Sequence, residues 1–409
     1  MNFKYLPALI LLILFLNTLD AQITFSPYTI FAAGQIESEG SGSNHAMGGT
    51  GIALKSGQSL NNINPASYGG IDSLSFLFDI GVFGKYSKFS TTSASQSAYG
   101  GNFRYIAMGF RLNKWWMISF GAAPYSSVSY KINTTSQLEG EPSIYFKVYT
   151  GSGGINQYYL GTAIKPIPNL SLGINFSYLM GSIEQTENVS STQGLLYIID
   201  KTSKVHNLYA DYGVQYTIGK KDWKYTIGAI YGNKKILKSA SEYKMVNSAD
   251  TVNLGNIDQE FLVPQKFGIG FAVEKSIKFK AGIDYERREW SAVKFTNPLL
   301  QTRNSDRLSI GFEYNPYKTH LDKGLKRCFY RIGANYNRSY LLIDKQPIDS
   351  KAITFGMGIP LKKQLTMINV SFEIGQDGTT AHGLIQENYY LIHVNFSLHD
   401  IWFQKPKYN

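Results

Sequence analysis

The chain has 409 residues, of which 14% are aromatic and only 17% are charged, and its formal net charge at pH 7 is +11. Cys328 is the single cysteine, which excludes an internal disulfide and most cysteine-based metal sites. Part of the positive charge comes from scattered lysines, a pattern that favours a solvated surface near anionic lipid headgroups. We therefore expect no nucleic-acid partner.

Residues 1–21 have the layout of a secretory signal peptide. Lys4 gives a basic start, residues 6–16 form an apolar run, and Ala21 is a small residue ahead of Gln22. The run is short for a transmembrane helix, although an N-terminal anchor helix is the alternative interpretation. No later stretch approaches the roughly 20 apolar residues that a membrane helix needs, so any further membrane crossing must use strands.

From residue 73 onward, apolar and polar residues alternate in successive segments. In residues 365–375, for example, Ile368 and Val370 are apolar while Asn369 and Ser371 are polar. Since successive side chains on a strand point to opposite faces, each segment has one apolar face and one polar face. The same alternation recurs in residues 74–82, 106–112, 170–178, 208–216, 267–273, 277–286, 308–314, 328–336 and 390–399.

The connections between these segments alternate between short and long. Barrels of bacterial outer membranes have this rhythm, with tight periplasmic turns and longer outer loops. The sequence therefore predicts an all-β fold: a transmembrane antiparallel β-barrel of about 14 strands over residues 73–403, with both termini and a tail (residues 404–409) in the periplasm. The long connections are expected at residues 85–100, 133–153, 187–204, 241–264, 288–306, 342–350 and 376–386.

A sheet in a bilayer must close on itself, because lipid offers no partner to a backbone N–H or C=O group. The polar strand faces would then line a lumen, which accounts for charged residues in mid-strand. Aromatic residues near the strand ends would form girdles at the two membrane interfaces. The charged residues are Arg104, Asp211, Asp284, Glu313, Arg331 and Glu373; the aromatic ones are Tyr105, Trp115, Trp116, Trp223, Trp290, Tyr389 and Trp402.

Residues 22–72 lack this alternation and contain a glycine cluster followed by an Asn-Pro-Ala turn. A phosphate-binding loop is one interpretation, but no Gly-Lys-Ser or Gly-Lys-Thr accompanies the cluster. A compact plug inside the barrel is the better interpretation, because a lumen of this width needs filling to block free flow. The residues of these motifs are Gly48, Gly49, Gly51, Asn64, Pro65 and Ala66.

These motifs resemble the N-terminal hatch of FadL-type outer-membrane transporters of hydrophobic compounds, which carries an Asn-Pro-Ala motif. The resemblance extends over residues 22–403, and the glycine-rich residues 151–156 and the Trp-Phe ending are similar to members from Bacteroidetes. It implies passive uptake of long-chain fatty acids or aromatic compounds. The partners it implies are outer-membrane lipid, lipopolysaccharide and a hydrophobic small-molecule ligand.

In FadL-type transporters, ligands leave sideways into the membrane through a kink in the third barrel strand. The matching stretch is residues 117–130, where a Gly-Ala-Ala-Pro run interrupts the alternation. Proline cannot donate to a strand ladder and is confined to edges or bulges. The run is either a gap in the wall beside the hatch or a bulge that only shapes the barrel. Its residues are Gly121, Ala122, Ala123 and Pro124.

No pattern in the sequence indicates catalysis, a metal site or a cofactor. The six histidines have no Cys, Asp or Glu at a recognised metal-ligand spacing, and no Gly-x-Ser-x-Gly elbow occurs. We expect a protein that is not an enzyme, although barrel hydrolases exist. Two functions remain: a channel for hydrophobic molecules, or a non-transporting barrel that scaffolds or gates a complex of protein-secretion or surface-assembly proteins.

Overall fold

The computed structural model describes residues 26–31, 34–137, 140, 143–247, 250–290, 300–317, 324–361 and 366–401. The expected signal peptide, the expected tail and Trp402 lie outside these residues. In the described part of the chain, no helix is both long and apolar enough to cross a bilayer.

The N-terminal segment forms short elements only. They are a 3-10 helix (Pro27–Ile30), strand β1 (Gln35–Ile36), helix α1 (Gly42–Ala46) and a second 3-10 helix (Pro65–Gly70). Most of residues 41–54 and 60–71 are buried against the inner faces of the strands that follow. The segment therefore occupies the lumen of the barrel.

The remaining strands follow in chain order, and all of their pairings are antiparallel. They are β2 (Ser75–Ser90), β3 (Ser95–Arg111), β4 (Trp116–Ser127), β5 (Tyr130–Gln137), β6 (Ile144–Ile167), β7 (Leu170–Ser191), β8 (Gly194–Lys220), β9 (Trp223–Gly232), β10 (Lys235–Asn247), β11 (Thr251–Val263), β12 (Gln265–Lys275), β13 (Phe279–Glu289), β14 (Leu300–Thr302), β15 (Ser305–Tyr314), β16 (Phe329–Arg338), β17 (Leu341–Ile343), β18 (Gln346–Pro347), β19 (Ser350–Pro360), β20 (Met367–Asp377) and β21 (Gln386–Ile401).

These strands build a closed antiparallel barrel of 14 strands, as the sequence predicts. The segments β4 and β5 form one barrel strand, as do β9 with β10 and β11 with β12. Strand β2 pairs with β21 along all of its 16 residues, from Ser75 opposite Ile401 to Ser90 opposite Gln386, and this pairing closes the ring. We call the end where β2 begins and β21 ends the termini end, and the opposite end the loop end.

Four of the predicted long loops are wrong, because the strands continue through most of them. Strands β6, β7 and β8 have 24, 22 and 27 residues, whereas a membrane crossing needs about 9–11. Beyond the bilayer both faces of a strand meet water, so the alternation fades while the backbone pairing goes on. The affected regions are residues 85–100, 133–153, 187–204 and 241–264.

The prediction that aromatic residues near strand ends face the membrane interface agrees with the structure for some residues and is wrong for others. Trp115 and Trp116 are exposed on the outer face near a strand end. Tyr105, Trp290 and Tyr389 are buried instead. Each has a partner inside: the Tyr105 hydroxyl accepts a hydrogen bond from a hatch amide, and the Trp290 ring stacks on Tyr340 with centroids 4.1 Å apart. A period-two pattern alone cannot tell an aromatic at a lipid interface from one facing a filled lumen.

The loop end carries a small separate sheet formed by β14, β17 and β18. Leu341 of β17 and Ile348, which directly follows β18, form a buried cluster with Leu384 from the β20–β21 connection. Tyr28 and Phe31 of the N-terminal segment pack against this cluster. We call this sheet with its cluster the lid. Two further 3-10 helices, Gly324–Arg327 and Ala381–Gly383, lie in connections between strands.

Candidate functional site: the hatch and the wall gap

The N-terminal segment has two parts with different surroundings. We call residues 40–72 the hatch body and residues 26–39 the arm. The body lies across the lumen, and its backbone is tied to barrel side chains. The Gly48 N–H donates to Thr354 Oγ1 at 2.8 Å, and the Gly51 and Ile52 amides both donate to the Asp284 carboxylate, at 2.6 and 2.8 Å. Asp284, which the sequence predicts to line the lumen, therefore binds the backbone of the glycine cluster.

The Asn-Pro-Ala motif joins two stretches of the hatch body. The Asn64 side chain accepts the Ala66 N–H at 3.0 Å, which caps the following 3-10 helix, and it donates to the Ile52 carbonyl at 2.7 Å. Ser171 of β7 donates to the Ala66 carbonyl at 2.6 Å. Pro65 starts the helix, where its missing N–H costs nothing. The motif therefore folds the hatch and fixes it to the wall.

Glycines on the inner faces of neighbouring strands form the seat of the hatch body. A Cβ atom added to any of them would lie closer than 3.0 Å to hatch atoms, for instance to Pro65 at Gly173 or to the Gly48 nitrogen at Gly333. Several are direct cross-strand partners. Only hydrogen fits there, because the hatch backbone lies directly on the barrel backbone. We call this set the glycine belt: Gly173, Gly213, Gly228, Gly270, Gly311, Gly333 and Gly356.

Backbone pairing between β3 and the strand formed by β4 and β5 covers only part of their length. Pairing of β3 with β4 runs from Arg111 opposite Met117 to Ile106 opposite Ala122 and stops there. Further along, β3 pairs with β2, and β5 pairs with β6. Within the described residues, no pairing joins residues 95–105 of β3 to β4 or β5. We call this unpaired interval the wall gap.

The Gly-Ala-Ala-Pro run lies where the wall gap begins. Gly121 and Ala122 still pair with both neighbours, whereas Ala123 and Pro124 pair only with β6. The register of β4 against β6 shifts just beyond Pro124. Opposite the shift, Gly153 and Gly154 adopt positive φ values of 98° and 151°, which allows β6 to follow the kink. The run thus precedes a register shift in the β4–β6 ladder and contains the end of the β3–β4 ladder.

The arm lies against the margin of the wall gap that β4 and β5 form. In strand β1, Gln35 pairs with Ser127 and Ile36 with Ser126. The Glu37 amide donates to the Tyr125 carbonyl at 3.0 Å, and the Ser26 amide to the Ser129 carbonyl at 2.9 Å. The arm therefore supplies an additional short strand where β3 has departed.

The arm is also bound by charge and by the lid. Glu37 forms an ion pair with Arg104 of β3 at 2.6 Å and accepts a hydrogen bond from Ser127 of β4 at 2.7 Å. Glu39 pairs with Lys266 at 3.0 Å. The Tyr28 hydroxyl donates to the Ile385 carbonyl at 2.6 Å, next to the lid cluster. No sequence pattern indicates these roles, since the arm has no motif.

Two cavities flank the hatch body. One of about 540 Å³ lies on the termini side, and one of about 260 Å³ lies on the loop side beneath the arm. Polar and charged side chains line much of the loop-side cavity, among them Arg104, Arg307, Glu373 and the stacked pair His45 and His393, whose ring centroids are 4.4 Å apart. Burial holds the pKa of His45 well below its usual value, so this imidazole is neutral.

A buried apolar cluster lies at the height of the kink. It comprises Ile155, Leu179, Val205, Tyr209, Leu237 and Val263 on the inner faces of β6, β7, β8, β10 and β11. Tyr125 and Phe261 pack against it, and Tyr125 is itself part of the gap margin. Apolar surface thus reaches the edge of the opening. Among the described residues, no three His, Cys, Asp or Glu side chains gather as a metal site would require.

Solved structures with this architecture come from channels and transporters. The Ralstonia pickettii toluene transporter TbuX is similar with a TM-score of 0.60 and 15% identity, covering 88% of this chain and 99% of that one. A Pseudomonas aeruginosa FadL homologue gives 0.60 and 11%, covering 90% and 99%. The CymD monoaromatic hydrocarbon channel gives 0.59 and 13%, covering 90% and 98%. At these identities the likeness establishes the fold, which is the FadL-type barrel that the motifs predict.

No curated protein matches the sequence. The model of the family described as BamG matches residues 3–409, which is nearly the whole chain. The protein is a member of the BamG family, built on the FadL-type barrel.

Proposed function

We propose that this barrel passes hydrophobic small molecules, long-chain fatty acids or aromatic compounds, passively across the outer membrane and releases them sideways through the wall gap. The loop end faces outward and both barrel termini face the periplasm. The observation that carries the proposal is the unpaired margin of β3, residues 95–105, beside a strand that leaves the ladder at Ala123. Residues 101–105 of this margin lie within the length of one membrane crossing counted from Arg111, and unpaired backbone in lipid is costly, so an opening there indicates a function.

The apolar cluster supports a route to the gap. Leu179, Val205 and Leu237 lie on the lumen side of the wall, yet they are almost fully buried, and Tyr125 connects them to the gap margin. Because these side chains are almost fully covered, a ligand with a hydrocarbon body would first have to displace their neighbours, and it would then gain roughly 25 cal/mol for each Å² of apolar surface buried. The similar structures named as toluene transporters and as a monoaromatic hydrocarbon channel support this class of ligand.

Uptake by cells tests the proposal. Cells with and without the protein are given labelled oleate, labelled toluene and, as a control for general permeability, a labelled sugar. The expected result is at least a fivefold fall in uptake of oleate or toluene without the protein, with sugar entry unchanged. Equal uptake of both hydrophobic compounds by the two strains would overturn the proposal.

A second candidate function is a non-transporting barrel that scaffolds or gates a protein-secretion or surface-assembly complex. The observation that favours it is the seat of the hatch body: backbone lies on backbone along the glycine belt, and charged groups line the loop-side cavity together with apolar ones. Unchanged uptake together with co-purification of other outer-membrane or periplasmic proteins in stoichiometric amounts would select this function.

A further inference from the structure

The cavity on the termini side of the hatch body carries more positive than negative charge. Five basic side chains and three carboxylates line it, which leaves a surplus of two positive charges. The basic residues are Lys55, Lys224, Lys280, Arg327 and Arg331; the acidic ones are Asp72, Glu274 and Glu313. The surplus attracts anions into this cavity.

The carboxylates of the cavity do not neutralise its basic groups evenly. Glu274 forms an ion pair with Lys280 at 3.5 Å, and Glu313 forms one with Arg331 at 2.5 Å. Asp72 is exposed to water. The positive surplus therefore lies with the basic groups outside these two ion pairs.

In the described part of the chain, three lysines that form no ion pair lie close together at one side of the cavity. The Lys55 ammonium donates to Thr217 Oγ1 at 3.1 Å, and this oxygen lies 3.0 Å from Thr226 Oγ1. Lys224 is two residues before Thr226 and shares its face of β9. Lys165, near the end of β6, is close enough to repel both Lys55 and Lys224. We call Lys55, Lys165 and Lys224 the lysine triad.

Lys55 is held in this triad at a cost in free energy. Among the described residues, the one polar partner of its ammonium is the neutral hydroxyl of Thr217. Burial, together with repulsion from Lys165 and Lys224, lowers the pKa of Lys55 to about 8, so the group is still charged at pH 7. A charge that is withdrawn from water without a partner of opposite sign costs free energy. A bound anion would reduce this cost, because it would supply the missing partner.

The rim of the barrel at the termini end is basic as well. In the described turns between strands at this end, and in the residues that flank them, Asp222 is the one acidic residue. The basic residues there include Lys114, Lys220, Lys221, Lys275, Lys278 and Lys326. Charges of one sign around a cleft focus their field into it and raise the local concentration of the opposite ion. The rim therefore directs anions toward the lysine triad.

Apolar side chains form another part of the cavity lining. Met47 and Leu54 of the hatch body lie there, together with Phe279 of β13 and Phe329 of β16. The volume of about 540 Å³ is within the range of about 300–1,000 Å³ that small-molecule sites occupy. The cavity thus offers an apolar surface to an organic group as well as cationic groups to its charge.

We propose that the termini-side cavity binds a phosphate group at the lysine triad, either as free phosphate or as the head of a small phosphate monoester. A phosphate monoester carries about 1.5 to 2 negative charges at pH 7, which balances the surplus of two, whereas a monocarboxylate would balance half of it. Lysines bind phosphate as point charges, so three of them need no fixed fork geometry. The site goes beyond the proposed passage of hydrophobic molecules and does not depend on it.

Isothermal titration calorimetry of the purified protein in dodecyl maltoside, a neutral detergent, tests the site at pH 7. The probes are inorganic phosphate, phenyl phosphate and benzoate, each compared with sodium chloride of equal ionic strength. Both phosphates are expected to bind, and benzoate is expected to bind about tenfold more weakly than phenyl phosphate, because it carries one charge instead of nearly two. Phenyl phosphate that binds at least threefold tighter than inorganic phosphate identifies a monoester as the ligand, and equal affinities identify free phosphate.

Substitutions in the triad show whether phosphate binds there. Lys55→Met and Lys224→Met are each expected to weaken phosphate binding about tenfold, since each removes one charged donor to the ligand. Neither substitution breaks an ion pair between described residues, so both variants are expected to keep the β-structure of the unmodified protein, which circular dichroism verifies. Lys351→Met is the matched control, because Lys351 is exposed on β19 and does not line the cavity.

Binding that is within twofold of the unmodified protein in Lys351→Met, and about tenfold weaker in both triad variants, is the expected result. The absence of measurable binding of either phosphate to the unmodified protein would overturn the inference. Equal affinities of Lys55→Met, Lys224→Met and Lys351→Met would overturn it as well, since phosphate would then bind away from the triad.

Discussion

At the scale of single residues, the lumen depends on groups that are small or that carry several hydrogen bonds. The glycines of the belt contribute no side chain, and this absence lets the hatch reach the barrel backbone. Asp284 acts through its side chain instead. Its carboxylate accepts hydrogen bonds from two hatch amides that would otherwise be buried without partners. The sequence predicted that Asp284 and Arg104 line the lumen, since both interrupt strands on the polar face. It could not predict their partners, which come from a segment without periodicity.

Substitution in the glycine belt is expected to unseat the hatch body. A valine at Gly213 would overlap the Asn64 side chain, and overpacking of this kind costs about 1–3 kcal/mol. Limited proteolysis of Gly213→Val in detergent should cleave within residues 26–72 at least tenfold faster than in the unmodified protein. Gly219→Val is the control, since nothing lies within 4 Å of its Cβ position. Equal cleavage rates for both variants would contradict the claim that the glycine belt seats the hatch body.

Lys55 of the hatch body gives a pH-dependent prediction. Burial, together with repulsion from Lys165, lowers its pKa from 10.5 to about 8. Between about pH 8 and 10.5 the unfolded chain therefore binds more protons at this group than the folded chain, so this group's contribution to stability rises with pH. Lys55→Met should be more stable than the unmodified protein at pH 7, by on the order of 1 kcal/mol after solvent screening.

That advantage should shrink as the pH rises from 8 to 10.5. Urea unfolding in detergent at pH 7, 9 and 10.5 measures it. An advantage that is constant over this range would show that the charge of Lys55 carries no penalty in the folded protein.

At the scale of elements, the alternation of apolar and polar residues predicts the barrel strands, but it does not predict the short elements of the hatch. Apart from a few end residues such as Ile277 and Lys278, the described part of each alternating segment lies in a strand, because one face meets lipid and the other the lumen. Strand length was underestimated where both faces meet water. The register of β4 against β6 shifts just beyond Pro124, next to the run that interrupts the alternation, but the end of the β3 ladder depends on pairing across the chain, which no local pattern records. Strand β1 has only two residues and no sequence signature at all.

Asn64 tests whether the Asn-Pro-Ala turn fixes the hatch. Asn64→Ala removes the cap of the 3-10 helix and the donor to the Ile52 carbonyl, which is expected to cost about 1–3 kcal/mol because the site is buried. Hydrogen exchange of the residues 61–71 amides should accelerate about tenfold or more, while the β2 and β21 amides stay protected. Gln193→Ala, in an exposed turn, is the control. Unchanged exchange in the hatch would contradict this role for the motif.

At the scale of the whole molecule, the sequence predicts the closed barrel and the plug in its lumen. It predicts an irregular strand at residues 117–130, but it does not decide between a gap in the wall and a bulge. Lipid requires a closed ring, and the long pairing of β2 with β21 provides it. A lumen of this width requires filling, and residues 40–72 provide that as well. The resemblance to FadL-type proteins pointed to residues 117–130 as a kink, but it left a gap and a bulge as equal alternatives. The structure places an irregular ladder on one side of that strand and an unpaired margin on the other.

Amide hydrogen exchange along β3 in lipid nanodiscs tests the open wall most directly. Strand β3 pairs with β2 on one side over nearly its whole length, so only amides that point away from β2 distinguish an open wall from a closed one. In residues 95–105, every second amide should exchange at least a hundredfold faster than the amides in residues 106–111 that donate to β4. Uniform protection along β3, equal to that between β2 and β21, would mean that the wall is sealed and that nothing leaves the barrel there.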